Sequence, residues 1–181
     1  MENIELEKLR YPIGKFIKPE VITSKILAKA IETIASFPER LKAEVSHLSE
    51  AQLETPYREN GWTIRQVVHH CADSHMNCFI RIKWTLTEDN PTIKFYYESL
   101  WSDGIDNKTM PIEPSLDLLN GLHYRLAFVM KNLSSEELNK SYYHPQYEKT
   151  SSLKEVICSY AWHSNHHLAH ITELKKRENW H

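Results

Sequence analysis

Glycine, membrane-length apolar runs and secretion signals are scarce or missing in this sequence, and each shortage argues against a class of protein. Only four of the 181 residues are glycine, and apolar residues rarely alternate with polar ones, so the pattern favours helices over a sheet. No apolar run approaches the roughly 18 residues that a membrane span requires. The charged opening MENIELEKLR is unlike a signal peptide, so we expect a cytoplasmic protein with no membrane partner.

An excess of charge of one sign is also missing. The 22 basic and 24 acidic residues give a formal net charge of -2, which offers no electrostatic attraction for nucleic acid. The cysteines Cys71, Cys78 and Cys158 form no CxxC pair and leave one residue over in any disulfide scheme, which is typical of reduced thiols in a core. The sequence contains no GxSxG motif, the pattern that would indicate a nucleophilic serine. We therefore expect a small-molecule substrate.

The spacing of apolar residues predicts an all-α protein built from four long helices. These helices are expected near residues 22–47, 63–87, 115–133 and 153–176. The stretch YPIGKFIKPE contains two prolines and a glycine, so residues 1–20 are expected to form an extended arm. We expect one domain over residues 1–181, folded as an antiparallel four-helix bundle.

Two local signals refine these helices. Thr63 and Gln66 have the spacing of a capping box, in which each side chain accepts a hydrogen bond from the backbone of the other residue. Pro38 has no N–H for an interior helix position, so we expect it to kink or restart the first helix.

The connection between the second and third helices, residues 89–114, is longer than a bundle turn requires. It contains three prolines and the aromatic stretch FYYESLW, from Phe95 to Trp101. Loops of this kind often border a site, and Arg81, Lys83 and Arg125 are candidate anion contacts. The alternative is that the aromatic residues cover one end of the bundle and the basic residues form a solvated face.

The stretch YAWHSNHHLAHI, residues 160–171, holds four histidines within eight residues. At about 100° per residue, His167 falls on the apolar face of the last helix, and His163 lies one turn before it. The wheel directs His166 toward solvent and gives His170 an intermediate position. Histidines four residues apart can bind one ion at about 2.0–2.1 Å from each nitrogen, so the pair indicates a metal site.

A catalytic metal site needs a third ligand, and most single histidines are structural. The remaining candidates are His47, His69, His70, His75, His123, His144 and His181. They are densest in GWTIRQVVHHCADSHMN, residues 61–77, where the wheel directs His75 inward and leaves His70 on the flank. Periodicity favours His75, although a flank position can still face a neighbouring helix.

Several stretches occur together in the order typical of a known family. YPIGKF, TPYRENGWTIRQVVHHCADSHMN, RIKWTLTEDNPTIK, LHYRL, HP and YAWHSNHHLAHI resemble the YfiT-like branch of the DinB superfamily over nearly the whole chain. The resemblance implies a four-helix bundle that holds one divalent metal ion, commonly zinc or nickel, through three histidines with open coordination positions. Some relatives form homodimers, so the resemblance makes a homodimer one possible assembly, while the sequence leaves the oligomeric state open.

The resemblance selects the ligands. In the family motif the first ligand follows the tryptophan of GWT by eight residues, and the other two are the histidines of WHxxxH. These positions are His70, His163 and His167 here, so the resemblance overrules the wheel on His75. Asp73, His75 and His170 are then candidates for supporting the ligands through hydrogen bonds.

The resemblance implies a metal-dependent hydrolase or an S-transferase that uses a low-molecular-weight thiol such as bacillithiol. Three neutral imidazoles leave the ion its double charge, which lowers the pKa of a bound water to about 7 and deprotonates a bound thiol. The protein's own cysteines do not suit the nucleophilic role, because Cys71 and Cys78 lie in an apolar stripe and Cys158 has no basic neighbour. The alternative is a non-catalytic metal-binding bundle of a stress response.

Overall fold

Helices dominate the computed structural model, which describes residues 2–180 and, for Glu2 and Asn3, the backbone alone. His181, one of the histidines considered above, lies outside the described residues. The elements in chain order are α1 (Glu2–Arg10), α2 (Ser24–Val45), α3 (Glu50–Leu53), α4 (Ile64–Thr87), α5 (Glu98–Ser102), α6 (Ile105–Thr109), α7 (Glu113–Lys131), a 3-10 turn (Glu137–Asn139), β1 (Ser141–His144), β2 (Lys149–Ser152) and α8 (Leu153–Arg177).

The four long helices α2, α4, α7 and α8 form the bundle. Both α2 and α4 pack against α7 and α8, and the apolar side chains between them form two clusters. One cluster includes Ile34, Ile82 and Ile157, and the other includes Phe37 and Leu119. The prediction of an all-α four-helix bundle is confirmed. Within residues 2–180 no helix combines the length and the hydropathy that a membrane crossing needs.

The predicted capping box fixes the start of α4. The Thr63 hydroxyl accepts a hydrogen bond from the Gln66 backbone N–H at 3.2 Å, and the Gln66 carbonyl oxygen Oε1 accepts one from the Thr63 N–H at 2.9 Å. The helix then runs to Thr87, as predicted. This start places Trp62 immediately outside the helix and His70 in its second turn.

Pro38 does not restart the first long helix, since α2 continues through it from Ser24 to Val45. Because proline lacks an N–H, the carbonyl oxygen of Ile34, four residues earlier, has no donor within the helix. That oxygen instead accepts a hydrogen bond from Nδ1 of His123 on α7, at 2.6 Å. The proline therefore converts a helix carbonyl into an acceptor for a neighbouring helix.

Two expectations about irregular segments are wrong. Residues 2–10 of the expected extended arm are helical and carry an exposed ion pair between Glu7 and Arg10 at 2.8 Å, and the extended segment begins only at Tyr11. The expectation of no sheet is also wrong, because β1 and β2 form an antiparallel hairpin that pairs Ser141 with Ser152. Each strand has four residues, which is too short for an alternating pattern to stand out in the sequence.

The extended segment that follows α1 lies along α8. The indole N–H of Trp162 donates a hydrogen bond to the Gly14 carbonyl at 3.1 Å, and Lys18 forms an ion pair with Glu155 at 2.5 Å. This segment therefore covers the side of α8 that carries Glu155 and Trp162.

The difference in burial between two neighbouring leucines of α7 predicts unequal effects of their substitution on stability. Leu119 is fully buried, whereas Leu118 is 41% exposed. We expect Leu119→Ala to lower the free energy of unfolding by about 2–5 kcal/mol, because it leaves a cavity. We expect Leu118→Ala to change it by no more than about 0.5 kcal/mol. Urea denaturation of both variants measures the difference, and equal losses would contradict the described packing.

Candidate metal centre

Helices α4 and α8 bring three histidines together. The Nε2 atoms of His70 and His163 lie 3.4 Å apart, and one ring nitrogen from each of His70, His163 and His167 lies within 4.8 Å of the other two. Four ligands placed tetrahedrally around an ion, at about 2.0–2.1 Å from it, are separated by about 3.4 Å. The nitrogen separation between His70 and His163 therefore has the scale of a metal site.

Aromatic packing holds the rings of this triad in place. The ring centroids of His163 and His167 lie 4.5 Å apart, and those of His70 and His167 lie 4.7 Å apart. The indole of Trp62 contacts His70 at 4.6 Å and stacks near His167 at 6.2 Å. The tryptophan of the GWT motif therefore packs against two of the three histidines, in addition to marking the position of His70 in the sequence.

The triad histidines are neutral at physiological pH. Burial lowers the pKa of His70 to about 4, with a further contribution from the neighbouring His166. Burial also lowers the pKa values of His163 and His167 well below 6.5, and the adjacent histidines lower them further. Neutral imidazole is the form that binds metal, so the burial of these rings favours ligation.

His75 lies behind the triad. Its Nε2 is 3.0 Å from Nδ1 of His163, and its Nδ1 is 2.6 Å from Nε2 of His123. The helical wheel correctly directed His75 inward, since only 1% of its surface is exposed. The structure nevertheless brings His70, rather than His75, to the side of His163 that faces His167.

A family model described as the DinB superfamily matches residues 34–171. The chain belongs to the DinB superfamily. This result confirms the family suggested by the sequence motifs.

Two relatives in the superfamily carry the name of a metal-dependent hydrolase. "Putative metal-dependent hydrolase YfiT" of Bacillus subtilis (strain 168) is 44% identical over 172 residues, which cover 95% of this chain and 97% of the relative. "Putative metal-dependent hydrolase BCB4264_A2719" of Bacillus cereus (strain B4264) is 46% identical over 175 residues, which cover 97% of this chain and all of the relative.

A solved structure matches the fold over the same length. It belongs to YfiT from Bacillus subtilis, described as "a probable metal-dependent hydrolase with an unusual four-helix bundle topology". The TM-score is 0.94 at 43% sequence identity, and the match covers 96% of this chain and 99% of that chain. The bundle of this DinB-superfamily protein therefore has the same topology.

A second histidine group adjoins the triad and shares His167 with it. Ring nitrogens of His166, His167 and His170 also lie within 4.8 Å of one another. The expectation that His166 faces solvent is wrong, because it is only 7% exposed. Tyr11 of the extended segment stacks on it at 5.7 Å, and Trp162 stacks on it at 4.5 Å. A wheel of α8 alone cannot include a segment contributed by the other end of the chain.

His170 is buried as well. Its Nε2–H donates a hydrogen bond to the Arg10 carbonyl at 3.1 Å, and its ring stacks on Tyr57 at 3.9 Å. Burial lowers its pKa to about 3. The protonated Nε2 leaves Nδ1 of His170 as an unprotonated acceptor.

The ring nitrogens of this second histidine group fit a divalent ion. Within the described residues, the Nδ1 atoms of His166, His167 and His170 are buried without a hydrogen-bond partner. An unpaired buried polar atom costs about 1–3 kcal/mol, and an unprotonated imidazole nitrogen is a common metal ligand. Metal binding by this group would therefore satisfy nitrogens that the protein itself leaves unpaired.

The other sequence candidates have separate roles. The Asp73 carboxylate accepts a hydrogen bond from the Asn107 amide at 3.3 Å, so it links α4 to α6 rather than contacting the triad. His69 pairs with the Ser115 hydroxyl at 2.8 Å. His47 is exposed beside Lys175, at 3.3 Å.

A cavity of about 950 Å³ opens beside the triad. Its charged lining comprises Arg10, Lys18, Arg58, Arg81, Lys149, Glu98 and Glu155. Tyr96 and Ser99 of the aromatic connection also line it. Of the three anion contacts suggested by the sequence, Arg81 lines the cavity, whereas Lys83 is exposed and Arg125 lies 4.7 Å over the Phe79 ring. Basic side chains thus outnumber carboxylates around the site.

Alanine variants test the triad. We expect His70→Ala, His163→Ala and His167→Ala each to lose most bound zinc or nickel, because each removes one of the three candidate ligands. Helical content should be unchanged, since the apolar clusters are intact. His47→Ala is the control at an exposed histidine and should keep its metal. Elemental analysis of metal-loaded, desalted protein gives the occupancy and far-UV circular dichroism the helicity. Full occupancy in any triad variant would exclude that residue.

The metal-free protein should lose stability as the pH falls from about 6.5 toward 4. Burial lowers the pKa values of His70, His123 and His166 to about 4, whereas the unfolded side chains titrate near 6.5. Between these values the unfolded chain binds more protons, so protons favour unfolding. About one pH unit above 6.5 and beyond, these side chains are neutral in both states and add no pH dependence. Urea midpoints with a chelator at pH 7.5, 6.0 and 5.0 measure the effect; a constant midpoint would contradict it.

Proposed function

We propose that this chain is a divalent-metal-dependent enzyme whose ion is held by His70, His163 and His167. The observation that carries the proposal is the meeting of three neutral imidazoles beside a cavity large enough for a small molecule. The hydrolase names of the relatives support it. Histidine ligands suit zinc and nickel, and we propose one of these two as the ion.

The chemistry follows from the ligand type. A divalent ion held by neutral ligands keeps its full charge and acts as a Lewis acid that lowers the pKa of a coordinated water or thiol. Trp62, which packs on His70, and Tyr57, which stacks on His170, line the cavity and present aromatic surface beside the proposed ligands. The cavity supplies the open side, where a substrate can approach.

The cavity lining favours an anionic substrate. Arg81 is 6% exposed, yet no carboxylate among the described side chains pairs with it, and its Nε has no hydrogen-bond partner there. Its one hydrogen bond to the described residues runs from Nη2 to the Lys94 carbonyl at 3.2 Å. A buried charge without a counter-ion is costly. We therefore propose that an anionic group of the substrate supplies the counter-ion.

The position of Arg81 sets the length of that substrate. His70, Ser74 and Arg81 follow one another at i, i+4 and i+11, which places them on one face of α4, and all three line the cavity. At 1.5 Å per residue, the Cα atoms of His70 and Arg81 are about 16 Å apart along the helix axis. A molecule that reaches both is extended, with a group for the metal at one end and an anion at the other.

One observation favours thiol transfer over hydrolysis. The carboxylates that line the cavity within the described residues are Glu98 and Glu155, and Glu155 already forms an ion pair with Lys18. Hydrolysis often depends on a carboxylate that acts as a general base, whereas a thiol made acidic by the metal needs none. An anionic low-molecular-weight thiol such as bacillithiol also matches the length and the basic lining. We propose this thiol class as the second candidate beside water.

Metal retention and turnover, measured together, distinguish thiol transfer from hydrolysis. We expect bacillithiol and glutathione to slow the loss of zinc or nickel to a chelator, because a thiol that binds at the open side adds a ligand. We expect the neutral 2-mercaptoethanol to protect less, and a model electrophile to be conjugated only when thiol is present. Hydrolysis of an ester and amide panel without thiol would assign the water branch. No turnover in either panel would favour the non-catalytic bundle.

A pair of variants on α4 controls for chelation by the thiol itself. Arg81→Met should abolish the advantage of the anionic thiols over 2-mercaptoethanol, because it removes the buried charge. Lys83→Met should preserve that advantage, because Lys83 is exposed. Protection that is unaltered in Arg81→Met would contradict the anion contact.

A further inference from the structure

A row of three histidines connects the triad to the backbone of α2. The Nδ1 of His163 is 3.0 Å from Nε2 of His75, the Nδ1 of His75 is 2.6 Å from Nε2 of His123, and the Nδ1 of His123 is 2.6 Å from the Ile34 carbonyl oxygen. Each ring therefore uses Nδ1 toward α2 and Nε2 toward the triad. We call these three residues the histidine row.

The carbonyl at the end of the row sets the direction of every hydrogen bond. A carbonyl oxygen only accepts, so Nδ1 of His123 carries the proton. If the rings are neutral, Nε2 of His123 is then an acceptor and Nδ1 of His75 must donate to it. The same logic makes Nε2 of His75 the acceptor for Nδ1–H of His163. The reverse direction would set Nδ1 of His123 and the Ile34 oxygen, two acceptors, 2.6 Å apart.

We propose that His123 and His75 are positioning residues that hold His163 as its Nδ1–H tautomer, with the Ile34 carbonyl, freed by Pro38, fixing the direction of the row. The unprotonated Nε2 of His163 then points at Nε2 of His70, 3.4 Å away. Second partners of this kind fix the tautomer and the ring orientation of metal-binding histidines. The inference rests on the proposed metal site for its consequence, but the tautomers themselves do not require metal.

Packing holds the row rigid. His75 is 1% exposed and His123 is fully buried, and the ring of Phe37 lies 5.3 Å from His75 and 5.4 Å from His123. Rotation of either ring would break a hydrogen bond between buried groups. Burial also lowers the pKa of His123 to about 4 and that of His75 well below 6.5, in keeping with neutral rings.

The tautomers are measurable in the full-length protein. Long-range ¹⁵N–¹H correlation spectra distinguish a protonated Nδ1 from a protonated Nε2, and we expect Nδ1–H for His75, His123 and His163 in both the metal-free and the zinc-loaded protein. His75→Gln and His123→Gln assign the signals. Nε2–H on His75 or His123 would overturn the proposal, whether or not the protein binds metal.

Variants of His123 test the effect on the metal without touching it. His123→Leu removes the hydrogen bonds of His123 to His75 and to the Ile34 carbonyl. We expect zinc affinity, measured by competition with a chromophoric chelator, to fall about 10–100-fold. Glutamine can donate to the Ile34 carbonyl and accept from His75, so His123→Gln should recover most of the affinity. Leu119→Ala, a destabilising change one turn earlier on α7, should leave the affinity unchanged.

Each outcome has one meaning. Undiminished zinc affinity in His123→Leu, or glutamine as weak as leucine, would overturn the positioning role. A wild-type protein that binds neither zinc nor nickel would defeat the proposed function, while its ring spectra would still decide the tautomers. If His123→Leu fails to fold, the wild-type spectra and His123→Gln still carry the test.

Discussion

Burial of imidazole in its neutral form is the constraint on which the rest of the site depends. A buried ring must remain uncharged, and each of its two nitrogens then needs a partner or a ligand. The fold provides a hydrogen-bond partner for one nitrogen of several rings. The Ile34 carbonyl accepts a hydrogen bond from His123, and the Arg10 carbonyl accepts one from His170. Nδ1 atoms without a partner among the described residues include those of His166, His167 and His170, which form the group adjoining the candidate centre.

Much of the fold could be predicted from the sequence, because helices carry their boundaries locally. Thr63 and Gln66 marked the start of α4, and apolar spacing placed the four long helices within a few residues of their ends. The helix at residues 2–10 and the hairpin of β1 and β2 were missed. Both are short, so the patterns that reveal longer elements do not repeat often enough within them.

The site was less predictable, because it depends on contacts between distant segments. Periodicity directed His75 inward correctly but could not show that it contacts His163, and only the resemblance to a family selected His70. His166 was expected at the surface, since the wheel of α8 contains no information about Tyr11. The role of His123 was hidden for the same reason: its partner is a carbonyl of another helix, released by a proline whose local signal is a helix break.

The separation of the proposed ligands along the chain has a consequence for assembly. His70 and His163 are 93 residues apart, so the site does not exist until α4 and α8 have docked. Closing a loop of that length costs about 4 kcal/mol of chain entropy from its logarithmic dependence on length alone. A lone His-x-x-x-His pair on a nascent α8 holds an ion with two ligands only. Tight binding at the proposed site would therefore come late in folding, and the ion would be acquired by a chain whose bundle has already formed.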